Sequence, residues 1–391
     1  MSCVIFGAGK IARGVVGHLL FLSKIDFVFV EKADALADLI NERGQYTVNI
    51  LGDSSKNTLV TGARALKFDQ KEAISEAIAR ADCVFDAVGG KNLPEIVPFL
   101  TAGIEKRATV NPKPLNIITC ENWKLPADLL RKGISESIAP EARAFFEEQV
   151  GITEAVIMRS AIESTPDLLA LDPLIVNAQD FWEFPFDASR LKAPMPEGMM
   201  CLKPIYEFTG FLERKFYTYN AANGTTSFVG ALLGYKYIAD AAHDERILKL
   251  LDGVYTETAT ALSKKHNFPF EEQWAFTRTS LRKLQDRNIV DYIERNARDP
   301  MRKLGKDDRL VGSARLCMDY GIRPDSLAVA IACAMHYEEP TDEFAIKLRE
   351  IRETRGYDAI LSEVCSLDPD GELGKLIKEK IALIKEWGWL A

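Results

Sequence analysis

Two clusters of residues in this chain have the types and the spacing that chemistry needs. The first is Gly7-Ala8-Gly9-Lys10-Ile11-Ala12, which fits the pattern G-x-G-x-x-[GA]. A strand pattern, Cys3-Val4-Ile5-Phe6, leads into it, and helical periodicity leads out of it from Ile11 to Leu22. In that setting Gly7 permits a tight turn, Gly9 lets the backbone approach a pyrophosphate, and Ala12 is small enough for helix to pack on strand. The anion would rest on the unpaired N–H groups of the helix N-terminus. Glu31 ends the second strand, Asp26 to Val30, near the spacing of ~20 residues at which an acid bonds the ribose hydroxyls of a bound dinucleotide. A carboxylate there repels a 2′-phosphate, so the expected cofactor is NAD, although Lys32 beside it is able to meet a phosphate. Val88-Gly89 closes a later strand. It reads either as a close approach to the nicotinamide-side ribose or as an ordinary strand-to-helix turn. The candidate cofactor-binding set is therefore Gly7, Ala8, Gly9, Lys10, Ile11, Ala12, Glu31, Val88 and Gly89.

The second cluster lies in Arg214-Lys215-Phe216-Tyr217-Thr218-Tyr219-Asn220-Ala221-Ala222-Asn223-Gly224. Asn220 and Asn223 are three apart and share a helix face. Lys215 lies two turns back, about 80° from Asn223 at 100° per residue. Flanked by Phe216 and Tyr217, the lysine can lose its water and its pKa can fall toward working pH. That is what a general base taking an alcohol proton requires, and amide donors suit the alkoxide that develops. Taken alone, the same residues equally describe a solvated helix face.

These clusters need elements to position them. The 391 residues suggest two domains. In the first half, short apolar runs at 3–6, 26–30, 83–88 and 115–119, with a further candidate at Val156-Ile157-Met158, alternate with helical patterns. Strands apolar on both faces predict a parallel sheet covered on both sides, and 45–61 reads as strands added to it. From about Tyr206 the pattern changes to long amphipathic helices at 244–262, 270–284, 326–335, 342–353 and 373–387. The expectation is an α/β Rossmann dinucleotide-binding domain at 1–190, followed by a mostly α-helical C-terminal domain at 191–391.

Composition excludes several alternatives. Lys and Arg number 49 against 57 Asp and Glu, a net charge of −8, which argues against nucleic acid as a partner. No apolar run is long enough to cross a membrane, and the N-terminus lacks the features of a signal peptide. Seven cysteines with no C-x-x-C pair, and four histidines with no H-x-x-x-H spacing, point to reduced thiols in the cytoplasm and to no metal. His18 and His336 are expected to pack rather than to catalyse. Phe181, Trp182, Phe184 and Phe186 read as packing between the domains.

A wider set of landmarks resembles one family. These are Phe6-Gly7-Ala8-Gly9 with Arg13-Gly14, Ala87-Val88-Gly89, and Pro114 through Asn122. Further on come Phe211-Leu212-Glu213-Arg214-Lys215, Arg302-Lys303-Leu304 with Asp308-Arg309-Leu310, and Ala334-Met335-His336-Tyr337. Together they resemble the polyol-specific long-chain dehydrogenases, the mannitol dehydrogenase family, and most closely its branch acting on mannitol 1-phosphate. The resemblance implies a metal-independent, reversible polyol–ketose oxidoreduction with NAD. It implies Lys215 as general base, Asn220 as a substrate and oxyanion contact, and Asn122 as a second asparagine polarising the carbonyl. Two positions depart from the family. Asn223 stands where the K-x-x-x-x-N-x-x-H signature has histidine, and Glu338 follows His336-Tyr337 where phosphate-specific members tend to carry arginine. The expected partner is thus a small sugar or polyol, phosphorylated or not, with a sugar acid and a ketose-amine as variants. Monomer and homodimer both remain open. Arg302, Lys303 and Arg309 are candidate anion contacts that Asp307 and Asp308 would otherwise neutralise. Two competing readings are a β-hydroxyacid dehydrogenase of similar architecture and a non-catalytic NAD-binding sensor.

Overall fold

Residues that are apolar on both faces of a strand can only be buried between two layers. The computed structural model, which describes residues 2–390, builds such a sandwich in the first half of the chain. The strands in chain order are β1 (Ser2–Phe6), β2 (Asp26–Glu31), β3 (Gln45–Leu51), β4 (Thr58–Thr61), β5 (Ala65–Lys67), β6 (Cys83–Asp86), β7 (Leu115–Thr119), β8 (Val150–Glu154), β9 (Ala161–Ile162), β10 (Val176–Gln179), β11 (Phe184–Asp187) and β12 (Leu202–Ile205). Six of them form an all-parallel sheet in the order β5-β2-β1-β6-β7-β8. This is the doubly wound order, whose reversal point lies between β1 and β6. Val4, Phe6, Val84 and Ile117 pack on the helices Lys71–Arg80, Leu93–Val110 and Pro126–Ser137. Cys3, Ile5, Phe29 and Phe85 pack on the opposite side against Val15, Val16, Leu20, Tyr46 and Phe184.

Four expectations are corrected. The alternating stretch at 45–61 does form strands, but in a separate four-stranded sheet ordered β4-β3-β10-β9. Its central pairing joins β3 to β10 in parallel, with Asn49 bonded to Asn177. The strand expected at 156–158 lies instead at β8, where Gly151, Thr153 and Glu154 are buried with Val150 and Ile152. The boundary expected at 190 falls at Phe208, where the first of two compact units ends. The reason is the pairing of β11 with β12, which folds the proline-rich stretch back onto the first unit. Phe184 and Phe186 therefore belong to that unit's own core rather than to a packing layer between domains.

The second unit is helical. Its helices at Glu245–His266, Phe270–Leu284, Asp325–Ala334, Glu343–Ala359 and Glu372–Glu386 lie within a few residues of those predicted. They bury Phe228, Leu251, Val254, Leu327, Ile331, Leu348 and Ile377 in one core. Asp244 caps the longest of them, accepting from the amides of Arg246 and Ile247. Among the described residues no helix is long and apolar enough to cross a membrane. All seven cysteines are free thiols.

Phe85 is fully buried and meets the ring of Phe184 edge-on at 6.2 Å between centroids, so it ties β6 to β11. Replacing Phe85 by alanine is expected to lower stability by about 3–5 kcal/mol, read as a fall in the urea midpoint. A midpoint within experimental error of the unmodified chain would refute that role.

Candidate active site

At the C-terminal edge of the parallel sheet, four loops meet. Gly7 adopts φ +83°, and a side chain there would sit 2.8 Å from the carbonyl oxygen of Ala87, so the turns after β1 and β6 touch backbone to backbone. A Cβ added at Gly9 would meet nothing within 4 Å. The space above the fingerprint loop is open where a pyrophosphate needs it, and Lys10 and Ile11 begin the helix that supplies the N–H groups. Ala12 is completely buried against the sheet. The helix then continues through a π-helical turn at Ala12–Gly17. Glu31 accepts from the amide of Ala8 at 2.7 Å and from that of Ala33 at 2.8 Å. Its carboxylate is thereby fixed at the fingerprint loop, with lone pairs remaining for ribose hydroxyls. Lys32 is paired with Glu95 and turned to that carboxylate instead of a cofactor phosphate. Gly89, at φ +87°, donates its amide to Glu121 at 2.7 Å. Asn92 holds the carbonyl of Val88 at 2.6 Å. These features fit a dinucleotide with free ribose hydroxyls.

Asn122 lies in the loop after β7 and is exposed. The helix that follows, Pro126–Ser137, is preceded by Leu125 at its cap position and has no side-chain cap, so Asn122 does not serve as one.

Lys215, Asn220 and Asn223 belong to the second unit and share one continuous helical run, Phe208–Lys215, Phe216–Asn220 and Ala221–Leu232. The middle piece is a π turn, closed by the amide of Ala221 on the carbonyl of Phe216. Such single turns recur at functional sites. Here the wider turn places Asn220 one hydrogen-bonded turn beyond Lys215. The run is anchored by the buried Arg214, whose guanidinium bonds Gln273 and Glu272 and lies 4.4 Å over the ring of Phe276. Gln273 in turn donates to Thr218.

Burial, reinforced by the Arg309 guanidinium, pushes the Lys215 ammonium down to about 8. Lys283 is likewise brought down to about 8 by burial and then by the Lys215 charge, and Lys303 to about 8 by burial and by Arg309. Arg309 packs its side chain on Gly224 and its guanidinium over the ring of Phe216, while bonding Asp308. The site is thus a cluster of cations around a helix that sequence patterning alone leaves ambiguous. Lys283 was not visible as part of it, because its only link to Lys215 is through the packing of the 270–284 helix. Asn296, which accepts from Asn223 at 3.1 Å, was missed for the same reason.

Arg302 is committed to Asp299 and Asp308, so of the basic trio expected to meet an anion it is the most neutralised. Glu338 is half exposed and bonded to Arg352 with Arg349 nearby, which leaves it a surface ion pair. His336 bonds the carbonyl of Ala332 and the hydroxyl of Tyr357. His18 is buried between Thr58 and Arg159, and burial followed by the Arg159 charge pushes it down to about 3, a neutral packing residue.

Residues 1–198 match the description "Mannitol dehydrogenase Rossmann domain" and residues 207–364 match "Mannitol dehydrogenase C-terminal domain". A mannitol-1-phosphate 5-dehydrogenase of Brevibacillus brevis is 32% identical over 389 residues, covering 99% of each chain. One of Bacillus licheniformis is 33% identical over 380 residues, covering 96% of this chain and 98% of that one. A substrate-free D-sorbitol dehydrogenase structure shares the fold with TM-score 0.82 at 17% identity, covering 99% of this chain and 93% of the other. The Pseudomonas fluorescens mannitol 2-dehydrogenase, solved as a ternary complex with NAD and D-mannitol, does so with TM-score 0.70 at 14% identity, covering 100% and 92%. With both halves matched in order and relatives spanning its full length, the chain belongs to the mannitol dehydrogenase family.

Proposed function

We propose that this protein is an NAD-dependent oxidoreductase interconverting a secondary alcohol of an anionic polyol and the corresponding ketose, with mannitol 1-phosphate and fructose 6-phosphate as the substrate pair. The observation that carries the reading is Lys215, an amine whose burial beside Arg309 brings it to about 8, where it exchanges protons near working pH. Deprotonated, Lys215 takes the hydroxyl proton. As an ammonium, it returns a proton to the ketose oxygen in the reverse direction. Asn220 and Asn122 are assigned the hydrogen bonds to that oxygen as its charge develops. Asn223 is assigned a substrate hydroxyl in place of the family histidine. Gly7, Ala8, Gly9, Lys10, Ile11 and Ala12 would hold the pyrophosphate, Glu31 the adenosine ribose, and Val88 and Gly89 the nicotinamide side. The nicotinamide, when bound, supplies the hydride acceptor. No step is assigned to a metal.

Arg309 and Lys283, cations beside the base, support an anionic substrate. The pairing of Glu338 with Arg352 removes the repulsion that its charge would offer a phosphate. The relatives named mannitol-1-phosphate 5-dehydrogenase support phosphate as the anion. A sugar acid is the second reading, because guanidinium and ammonium groups accept a carboxylate as readily.

Three outcomes test this reading. With fructose 6-phosphate, Lys215→Ala should slow NADH oxidation by about 10²–10⁴-fold while NADH fluorescence titration still reports binding. A loss below tenfold would remove Lys215 from the base role, and turnover of tagaturonate or fructuronate alone would move the substrate to the sugar acids. In the alcohol-oxidising direction the amine must be neutral, so the rate should climb with pH and level off above about 8. Arg309→Gln removes a cation that favours the neutral amine, and its midpoint should move upward. An unmoved midpoint would count against the pairing. Gly7→Ala forces a side chain into positive φ, at roughly 1–2 kcal/mol, besides its clash with Ala87. It should weaken NADH binding about tenfold or more, and unchanged affinity would place the dinucleotide elsewhere.

A further inference from the structure

Asp86 is the last residue of β6, an acid in a strand otherwise apolar on both faces, and its side chain is fully buried. Neither of its carboxyl oxygens receives a hydrogen bond from any N–H or hydroxyl among the described residues, and the Thr119 hydroxyl, opposite it on β7, does not donate to it. An ionised carboxylate in that position would be a buried charge with no donor, which costs several kcal/mol. Its side-chain partner is the carboxyl of Glu121, on the loop after β7. Two carboxyls in contact attract only when one proton lies between them.

The two acids are not equivalent. Glu121 accepts from the amide of Gly89 at 2.7 Å, so it is provided with a donor that suits an anion. Asp86 has none. The proton therefore belongs on Asp86, which donates it to Glu121, and burial together with the Glu121 charge holds the Asp86 carboxyl far above its usual range. The titratable group beside the pair is the Cys120 thiol, which burial pushes well up and keeps neutral. Among the described residues no cation acts on either carboxyl.

This bond joins the loops that follow the neighbouring strands β6 and β7, beside the reversal point of the sheet. On one side is the turn Val88-Gly89, and on the other the loop that carries Asn122 directly after Glu121. The two loops are already in close contact, since a Cβ on Gly90 would lie 2.3 Å from the ring of Trp123. We propose that Asp86 and Glu121 are a positioning pair sharing one proton, and that this bond holds the Val88-Gly89 turn in the form that receives the nicotinamide side of the cofactor. The cofactor part rests on the function proposed above. The shared proton and the hold on the turn do not.

Two variants separate the proton from the bond. Asp86→Asn keeps a donor toward Glu121 and has no ionisable proton, while Asp86→Ala removes both. In the wild type at neutral pH, infrared difference spectra against Asp86→Asn should show the C=O stretch of one protonated carboxyl. Its absence would overturn the shared proton on the wild type and the conservative variant alone, even if Asp86→Ala does not fold. Hydrogen exchange of the peptide containing Val88 and Gly89 should be at least fivefold faster in Asp86→Ala than in wild type, and near wild type in Asp86→Asn. Equal exchange in all three would overturn the hold on the turn. NADH affinity should fall at least fivefold in Asp86→Ala, remain within about twofold in Asp86→Asn, and weaken toward alkaline pH in the wild type but not in Asp86→Asn. Unchanged NADH affinity in Asp86→Ala would overturn the positioning role. Absence of NADH binding by the wild type at every pH would instead sink the cofactor reading, while the infrared and exchange results still decide the pair.

Discussion

A lysine that is to take a proton must be neutral part of the time, and water opposes that by solvating the ammonium. The second unit is arranged around removing that solvation from Lys215. Its helix is bound down by Arg214, whose guanidinium is shared among Gln273, Glu272 and the ring of Phe276. Arg214 has both the carboxylate and the backbone carbonyl of Glu272 to bond. Lys215, the next residue, faces Arg309 and Lys283 and is driven toward neutrality. Two adjacent basic residues on one helix thus meet opposite environments, one bonded to a carboxylate and one buried beside another cation. The π turn that follows adds to the arrangement, since a regular α-helix would carry Asn220 to a different face relative to Lys215.

The first unit solves a different problem, that of bringing backbone amides close together with their hydrogen-bonding capacity intact. Gly7 and Ala87 approach so closely that no side chain fits between them. Carboxylates then fix the loops from beneath. Glu31 binds the amides of Ala8 and Ala33, and Glu121 binds that of Gly89. Each acid is anchored through backbone donors, so these loops are held through their main chain. Asp86 is the exception, a buried acid supported only by another acid, and so the place where the state of a single proton bears on loop position.

Legibility in the sequence followed the range of the interactions. β1, β2, β6 and β7 were readable because each is a local apolar run, and the glycine fingerprint because its residues are contiguous. The helices of the second unit were readable from their periodicity. The partition of strands between sheets was not, because β3 finds its parallel partner in β10, with Asn49 and Asn177 bonded across 128 residues of chain. β8 was misplaced since its glycine, threonine and glutamate disguise a fully buried strand. Within the candidate site, Lys215, Asn220 and Asn223 were found from local spacing with the help of family landmarks. Lys283, Asn296 and the Asp86–Glu121 pair were not, because each joins the site through a tertiary contact. Asp86 alone left a local trace, an acid at the end of an apolar strand.

The substitution of Asn223 for the family histidine acquires a definite chemical meaning from its neighbours. Asn296 directs its amide nitrogen to Asp291 and to the carbonyl of Tyr292, both of which only accept. Its amide orientation is therefore fixed, and its oxygen is the atom left toward Asn223. Asn223 must then present its own nitrogen to Asn296, and its carbonyl oxygen is free of that network. A histidine at this position would be able to carry a proton and a charge. This asparagine, held by an amide chain that ends on a carboxylate, instead presents a fixed neutral acceptor. A fixed acceptor favours a donor such as a sugar hydroxyl and disfavours an anionic oxygen. On the function proposed above, Arg309 and Lys283 rather than Asn223 are then the groups suited to an anionic part of a substrate.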